Sequence, residues 1–349
     1  MKHHLTKLTA AGLAALALAG CAGRASEGMS VPKDAETTWT LAVGQPEGST
    51  CWDAAEQFAS ALSDATEGAV AVEVQPMPLD RVASLERTAA GTVDFYLDSS
   101  FVYGSYGSGE ELGRPFFSLT MPFLFPDAET AAEVLDGTGG EALNGVLAEL
   151  GLRGLAYGEL GFRYLTADRP VTAPEDLEGL RIRTAGMLEL SKSYLDCWGA
   201  TYYSSGFSEV MTPLAAGYCD GQESTLAEAD AAGYQTVQTD VTIFPAFYEP
   251  AIFTMNGDLY ESLSPDLRET VDRCARQAMA DQRLRNREQE ADILERWQEE
   301  NGIAVHVLTD AQCGAFQALT DRLYDPEDPD HQEWFADCTP EWVAQFRPS

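Results

Sequence analysis

The feature that most constrains this chain is a helical pattern of unusual length in its carboxyl-terminal third. Ser264-Pro265-Asp266 reads as a cap followed by proline at the first helical position, and the pattern runs to Glu300 before Asn301-Gly302 closes it. At 1.5 Å per residue, about 35 residues extend roughly 50 Å, more than one domain needs. A helix of 264–300 is therefore expected to lie across two domains. Leu267, Val271, Cys274, Ala278, Leu294 and Trp297 supply apolar positions, while Arg283, Arg285, Arg287, Glu288 and Glu290 crowd the middle. A coiled-coil arm is the competing reading, and the lack of sustained apolar heptads counts against it.

The amino terminus reads as an export signal over residues 1–20. Lys2 and Lys7 give a positive start, and Leu8 to Ala19 form an apolar stretch too short to span a membrane. It ends at Leu18-Ala19-Gly20-Cys21, small residues before a cysteine, which resembles the bacterial lipobox. Cys21 would then be the lipidated first residue of the mature protein, anchored to the outer face of the cell membrane. An ordinary signal peptide with an incidental cysteine is the alternative. Residues 21–37 carry Gly, Ser, Pro and charge with little apolar content, as a tether should. No later segment has the roughly 18 uninterrupted apolar residues of a transmembrane helix.

About 310 mature residues exceed one typical core and again suggest two domains. The formal charge of −34 argues against nucleic acid or anionic lipid surfaces as partners, because both demand cationic patches. Six cysteines remain after Cys21, and export to an oxidising compartment makes disulfides the expectation, with Cys313 and Cys338 a possible local pair. No C-x-x-C occurs and only His306 and His331 lie in the mature chain, so no metal site or cofactor is expected.

Along the chain, Trp39 to Val43, Val70 to Val74 and Val93 to Leu97 read as strands. The helices expected between them run from a Ser49 or Thr50 cap to Thr66 and from Ser84 to Ala90. This β-α-β-α-β opening signals a parallel sheet with helices on its faces. Gly104 to Gly113 is glycine-rich but lacks G-x-G-x-x-G spacing and a P-loop lysine, so it reads as a loop. Asp127 opens a helix through Leu135. A second α/β unit follows: a strand to Tyr157, another around Phe162 to Leu165, a third from Gly179 to Arg183, and helices Met187 to Cys197 and Ser208 to Ala216.

Arg183 ends its strand-like run and is followed by Thr184-Ala185-Gly186. A permanent cation at the carboxyl end of a strand is a ready anion receptor, because guanidinium offers parallel N–H donors that match a carboxylate.

Seven segments stand in order along the chain: Ala54-Ala55-Glu56-Gln57-Phe58-Ala59, Ala90-Gly91-Thr92-Val93-Asp94, Met121-Pro122-Phe123-Leu124-Phe125, Gly161-Phe162-Arg163, the run from Pro174 to Arg183, Ser208-Glu209-Val210 and Asp220-Gly221-Gln222-Glu223. Together they resemble the DctP-type solute-binding proteins of tripartite ATP-independent periplasmic (TRAP) transporters. The resemblance covers almost the whole mature chain. It implies an α/β, two-domain periplasmic binding protein-like (type II-like) fold with a cleft between domains and a long bridging helix. It also implies a small anionic organic acid as ligand and delivery to TRAP-type membrane permease subunits. The expected division is 38–160 plus 250–295 for domain I and 161–249 plus 296–349 for domain II, in a monomer.

Arg183 occupies the position where the family's arginine clamps the ligand carboxylate, and Arg163 would be a second cation beside it. Many relatives have asparagine after the Asp-Gly-Gln-Glu motif, whose amide contacts the ligand; this chain has Ser224, a shorter group that cannot both donate as an amide and accept as a carbonyl. Asp98 sits where relatives place residues that meet the ligand's far end, or is a solvated loop acid. Phe207 walls the pocket or belongs to the core.

Two rivals stand against this expectation. A secreted hydrolase finds no support, since G-x-S-x-G and H-E-x-x-H are absent. A binding protein for an ATP-driven transporter or a sensor would share much of the fold; the long helix favours the tripartite family.

Overall fold

The computed structural model describes residues 35–76, 80–106, 112–185, 191–205 and 209–347. Cys21, the expected signal and nearly all of the expected tether lie outside the described residues, as does Phe207. In chain order, β1 (Thr37–Val43), α1 (Thr50–Ala65), β2 (Val70–Pro76), α2 (Arg81–Ala89) and β3 (Phe95–Ser99) open the fold. β1 pairs in parallel with both β2 and β3, the pattern the opening sequence implies. Ser49 caps α1 by accepting the Trp52 N–H at 3.2 Å. α2 begins earlier than Ser84 because Asp80 caps it, accepting the Ala83 N–H at 3.0 Å.

Next come α3 (Ser100–Gly104), α4 (Ala128–Asp136), α5 (Thr138–Glu149) and β4 (Leu152–Ala167). The expectation of separate strands near Tyr157 and Phe162 is corrected, since β4 is one strand of 16 residues. Register shifts between Gly154 and Ala156, Glu159 and Gly161, and Arg163 and Leu165 break its alternation, which is why the sequence suggests two pieces. At the central shift Gly161 adopts φ +102°, open to glycine and strained for other residues.

β5 (Arg181–Ala185) differs from its apparent run at both ends. It continues past Arg183 because Thr184 and Ala185 pair with Ser204 and Ser205 of the parallel neighbour. α6 (Ser191–Cys197), β6 (Thr201–Ser205), α7 (Met211–Ala215), β7 (Gly221–Thr225), α8 (Leu226–Ala232) and β8 (Asp240–Asn256) follow. The chain closes with α9 (Gly257–Ser262), α10 (Pro265–Glu299), β9 (Ala304–Val307), α11 (Asp310–Thr320), α12 (Pro329–Trp334) and α13 (Pro340–Val343).

The strand order is β2-β1-β3-β8-β4-β7-β5-β6, with β9 on β8. β4 and β8 run antiparallel along most of their length. The stretch of β8 near Asn256 lies beside β3, whereas the stretch of β4 near Ala167 lies beside β7. One mixed α/β sheet therefore holds two half-sheets that share these long strands.

α10 is a single helix of 35 residues, as its length in the sequence requires. Val271, Cys274, Ala275, Ala278 and Met279 pack in one hydrophobic cluster with α1, β1 and β2. Ile293 and Trp297 pack in another with Leu226, Ala229 and Val241. Between these ends the buried face turns polar. Gln282 donates to the Glu159 carbonyl at 2.6 Å and to Thr50 Oγ1 at 2.9 Å, and it accepts the Glu159 N–H at 2.9 Å. Arg287 binds both Glu159 carboxylate oxygens at 3.0 Å, and Tyr248 donates to the same carboxylate at 2.9 Å. The crowded charges of the helix centre thus clamp β4 beside its central register shift.

The disulfide expectation is corrected: Cys51, Cys197, Cys219, Cys274, Cys313 and Cys338 are all free thiols. They are spread over three hydrophobic clusters, Cys51 and Cys274 in one, Cys219 in a second, and Cys338 with Cys197 and Cys313 at a third. Each serves as a small apolar side chain.

Candidate functional site

Arg183 projects from β5, flanked by Tyr203 of β6 and Gln222 of β7. It is 1% exposed. Its Nε and Nη2 donate to the Ser205 carbonyl at 3.2 and 2.9 Å, and it makes no ion pair with any described carboxylate. Burial depresses its pKa, and nearby Tyr234 and Arg163 act in opposite directions upon it. A buried guanidinium whose only hydrogen-bond partner among the described residues is a carbonyl is a cation short of counter-charge. The Tyr234 hydroxyl, also buried and without a partner among the described residues, belongs to the same electrostatic neighbourhood. Burial pushes the Tyr234 phenol up to about 12.

Arg163 is saturated instead. Its Nε bonds the Glu223 carboxylate, its Nη1 meets Glu249 Oε2 at 2.5 Å, and its Nη2 donates to the Glu223 carbonyl at 3.0 Å. Glu228 lies 3.6 Å away, and the guanidinium carbon stands 5.5 Å from the centre of the Phe101 ring. Burial lowers the Arg163 pKa, but Glu223, Glu249 and Glu228 outweigh it and hold the group well above the usual arginine value. Glu249 is pushed up to about 7, because burial outweighs the pull of a guanidinium it shares with Glu223. Ser99 donates to Glu249 at 2.6 Å and Tyr194 donates to Glu223 at 3.0 Å. A continuous chain of hydrogen bonds therefore links β3, β8, β4, β7 and α6. Beside it lies a cavity of about 10 Å³ lined by Phe101, Thr120, Arg163, Ser191, Tyr194, Glu223 and Phe247.

The register separates the two arginines. Arg163 pairs with Thr225 and Leu165 with Glu223, so these side chains share one face of the sheet. Gln222 and Ser224 alternate onto the other face, with Arg183. Ser224 is 2% exposed, opposite Tyr164, and its hydroxyl donates weakly to the Thr225 carbonyl at 3.3 Å. The two guanidinium groups still influence each other, and Glu223 and Glu228 act on both.

Asp98, at the end of β3, is fully buried, which corrects the alternative of a solvated loop acid. It is held by both ends of the Arg81 guanidinium, by the Tyr96 hydroxyl at 2.5 Å, by the Ser99 N–H at 2.7 Å and by Gln45 at 3.3 Å. Gly44 permits this approach, since a Cβ there would collide with the Asp98 carboxylate. The accessible group at this end is Arg81, whose side chain is 36% exposed.

Sequence reasoning missed Glu249, Glu228, Phe101, Tyr194, Tyr234 and Arg81. Glu223 stood within the Asp-Gly-Gln-Glu motif, but strand alternation had to be known before it could be matched to Arg163. Among the described residues no group of three or more His, Cys, Asp or Glu is arranged to hold a metal ion.

The family described as "DctP: Bacterial extracellular solute-binding protein, family 7" matches residues 41–329. The 2,3-diketo-L-gulonate-binding periplasmic protein YiaO of Escherichia coli is 29% identical over 276 residues, covering 78% of this chain and 81% of that protein. The C4-dicarboxylate-binding periplasmic protein DctP of Rhodobacter capsulatus is 27% identical over 276 residues, covering 78% and 80%. A TRAP periplasmic solute-binding protein from Ochrobactrum anthropi superimposes with a TM-score of 0.81 at 27% identity. It covers 89% of this chain and 94% of its own, and its C terminus is bound in its ligand-binding pocket.

Proposed function

Because this chain belongs to bacterial extracellular solute-binding protein family 7, the DctP-type proteins of TRAP transporters, which are not enzymes, we propose that it captures a small organic acid by closure of a cleft and delivers it to a TRAP-type permease. The observation that carries this reading is Arg183, a buried guanidinium with no carboxylate partner among the described residues. An incoming carboxylate supplies the missing charge, and its parallel oxygens match the guanidinium edge. Tyr234 and Ser205, whose buried hydroxyls lack partners among the described residues, would join it. Arg163, already neutralised by glutamates, acts as the frame of the site rather than as a second clamp.

Arg183 is 1% exposed, so an organic acid reaches it only when the surrounding walls part. The division into 38–160 plus 250–295 and 161–249 plus 296–349 puts the seam at the register shift where Glu159 pairs with Pro250 and Gly161 with Glu249. A ligand that binds Arg183 on one side and the Arg81 end on the other favours the closed form by its differential contacts. The anchor is the lipid on Cys21, outside the cell membrane, and the working form is a monomer.

Calorimetric titration of the wild type against a panel of sugar acids, dicarboxylates and oxo acids identifies the ligand. Arg183→Ala is expected to remain folded, by circular dichroism, and to lose measurable binding; unchanged affinity sinks the assignment. Cys21→Ser is expected to move the protein from the membrane to the soluble fraction, and continued membrane fractionation refutes the anchor.

A further inference from the structure

A groove of about 530 Å³ opens along α10, bounded by α4 and α5 and by the first residues of β4. Its volume falls within the roughly 300–1,000 Å³ of ligand sites. It shares no residue with the Arg183 and Arg163 constellation. Four guanidinium groups line it, from Arg153, Arg273, Arg276 and Arg283, against the two carboxylates of Asp136 and Glu141. The whole chain has only 22 Lys and Arg against 56 Asp and Glu, so four arginines lining one groove run counter to the composition of the molecule.

The four cations differ in what already holds them. Arg283 grips Asp136 at 3.0 and 2.7 Å and donates to the Tyr157 carbonyl at 3.1 Å. Arg153 lies 4.8 Å over the Tyr260 ring. Among the described residues Arg276 reaches only Asp272, at 3.9 Å. Arg273 has no hydrogen bond, ion pair or ring contact among the described residues. Three positions apart on α10, Arg273 and Arg276 are neighbours on one helical face, with Cβ atoms about 5–6 Å apart. Like charges at that spacing repel, and the weak Asp272 contact offsets little of it. The small Ala280 one turn beyond Arg276 leaves the groove open beneath them.

We propose that this groove is a second binding site, for a small anion carrying two or more carboxylate or phosphate charges, with Arg273 and Arg276 as its principal donors. Bidentate guanidinium contacts suit both chemistries. The site is independent of the ligand cleft.

The test is calorimetric titration of the full mature chain with citrate and, separately, with inorganic phosphate, at constant ionic strength. It uses the wild type, Arg183→Ala, the double variant R273A/R276A, and Arg87→Ala as an exposed arginine outside the groove. The expected result is binding of at least one anion to the wild type, retained in Arg183→Ala and Arg87→Ala, and weakened at least about tenfold in R273A/R276A. A response to citrate but not phosphate assigns a polycarboxylate, and the reverse assigns a phosphate compound. The proposal is overturned if neither anion binds at millimolar concentration, if R273A/R276A binds as the wild type does, or if Arg183→Ala or Arg87→Ala abolishes the signal.

Discussion

Glu249 and Glu290 are carboxyls that the fold makes reluctant to ionise. Burial is the main cause in both, pushing Glu249 up to about 7 and Glu290 up to about 8, with Glu159 adding to the second. The folded state then binds more protons than the unfolded chain between about pH 4.5 and these values, so stability falls as pH rises through that window. Glu290→Gln, which keeps the shape without the charge, is expected to raise the thermal midpoint at pH 8 and to leave it unchanged at pH 4. A midpoint at pH 8 no higher than that of the wild type contradicts this sign. Tyr234 offers a second contrast: Tyr234→Phe removes a buried hydroxyl that has no partner among the described residues, so the free protein should be no less stable. Its affinity for the acid identified with the wild type should fall by about five- to tenfold, the worth of one lost hydrogen bond. The burial of none of these three was legible in the sequence, whereas Arg183 stood out there because a guanidinium after a strand pattern is a local signal. Glu249 lay in a stretch with no legible strand, and burial at a distance leaves no mark in sequence.

α10 was the most legible element and β8 the least. A capped helical pattern declares itself locally through Ser264, Pro265 and Asn301-Gly302. β8 is buried along almost all of its length and carries Pro245 and Pro250, so alternation and composition both argue against a strand there. The same buried polarity that hides such pairings from sequence makes them sensitive to mutation. Glu159 is 1% exposed and depends on Arg287, whose side chain is only partly exposed. Arg287→Ala leaves that carboxylate with Tyr248 alone and is expected to cost about 3 kcal/mol in urea denaturation. A loss below about 1 kcal/mol would mean that the helix centre does not clamp β4. Gly161, at φ +102° with Glu290 against its missing side chain, should tolerate alanine poorly for both reasons.

The whole molecule carries −34 formal charges and no disulfide among the described cysteines, so neither charge balance nor cross-linking sustains it. Screening self-repulsion should therefore raise its thermal midpoint as sodium chloride increases, most steeply below about 0.1 M, where the Debye length exceeds ~10 Å. Reductant should leave that midpoint unchanged; a drop with dithiothreitol would reveal a bridge.

The shared long strands have a consequence in time as well as in space. Ser99 meets Glu249 across 150 positions of sequence, and β3 finds its antiparallel neighbour only when Ala251 to Met255 arrive. The amino-terminal half-sheet is thus left with an open edge until the last third of the polypeptide has been made. Pairings this distant in sequence form slowly. A chain so wired stays threadable while its front end is already leaving the ribosome, which suits a route that passes polypeptides through a narrow channel before they fold.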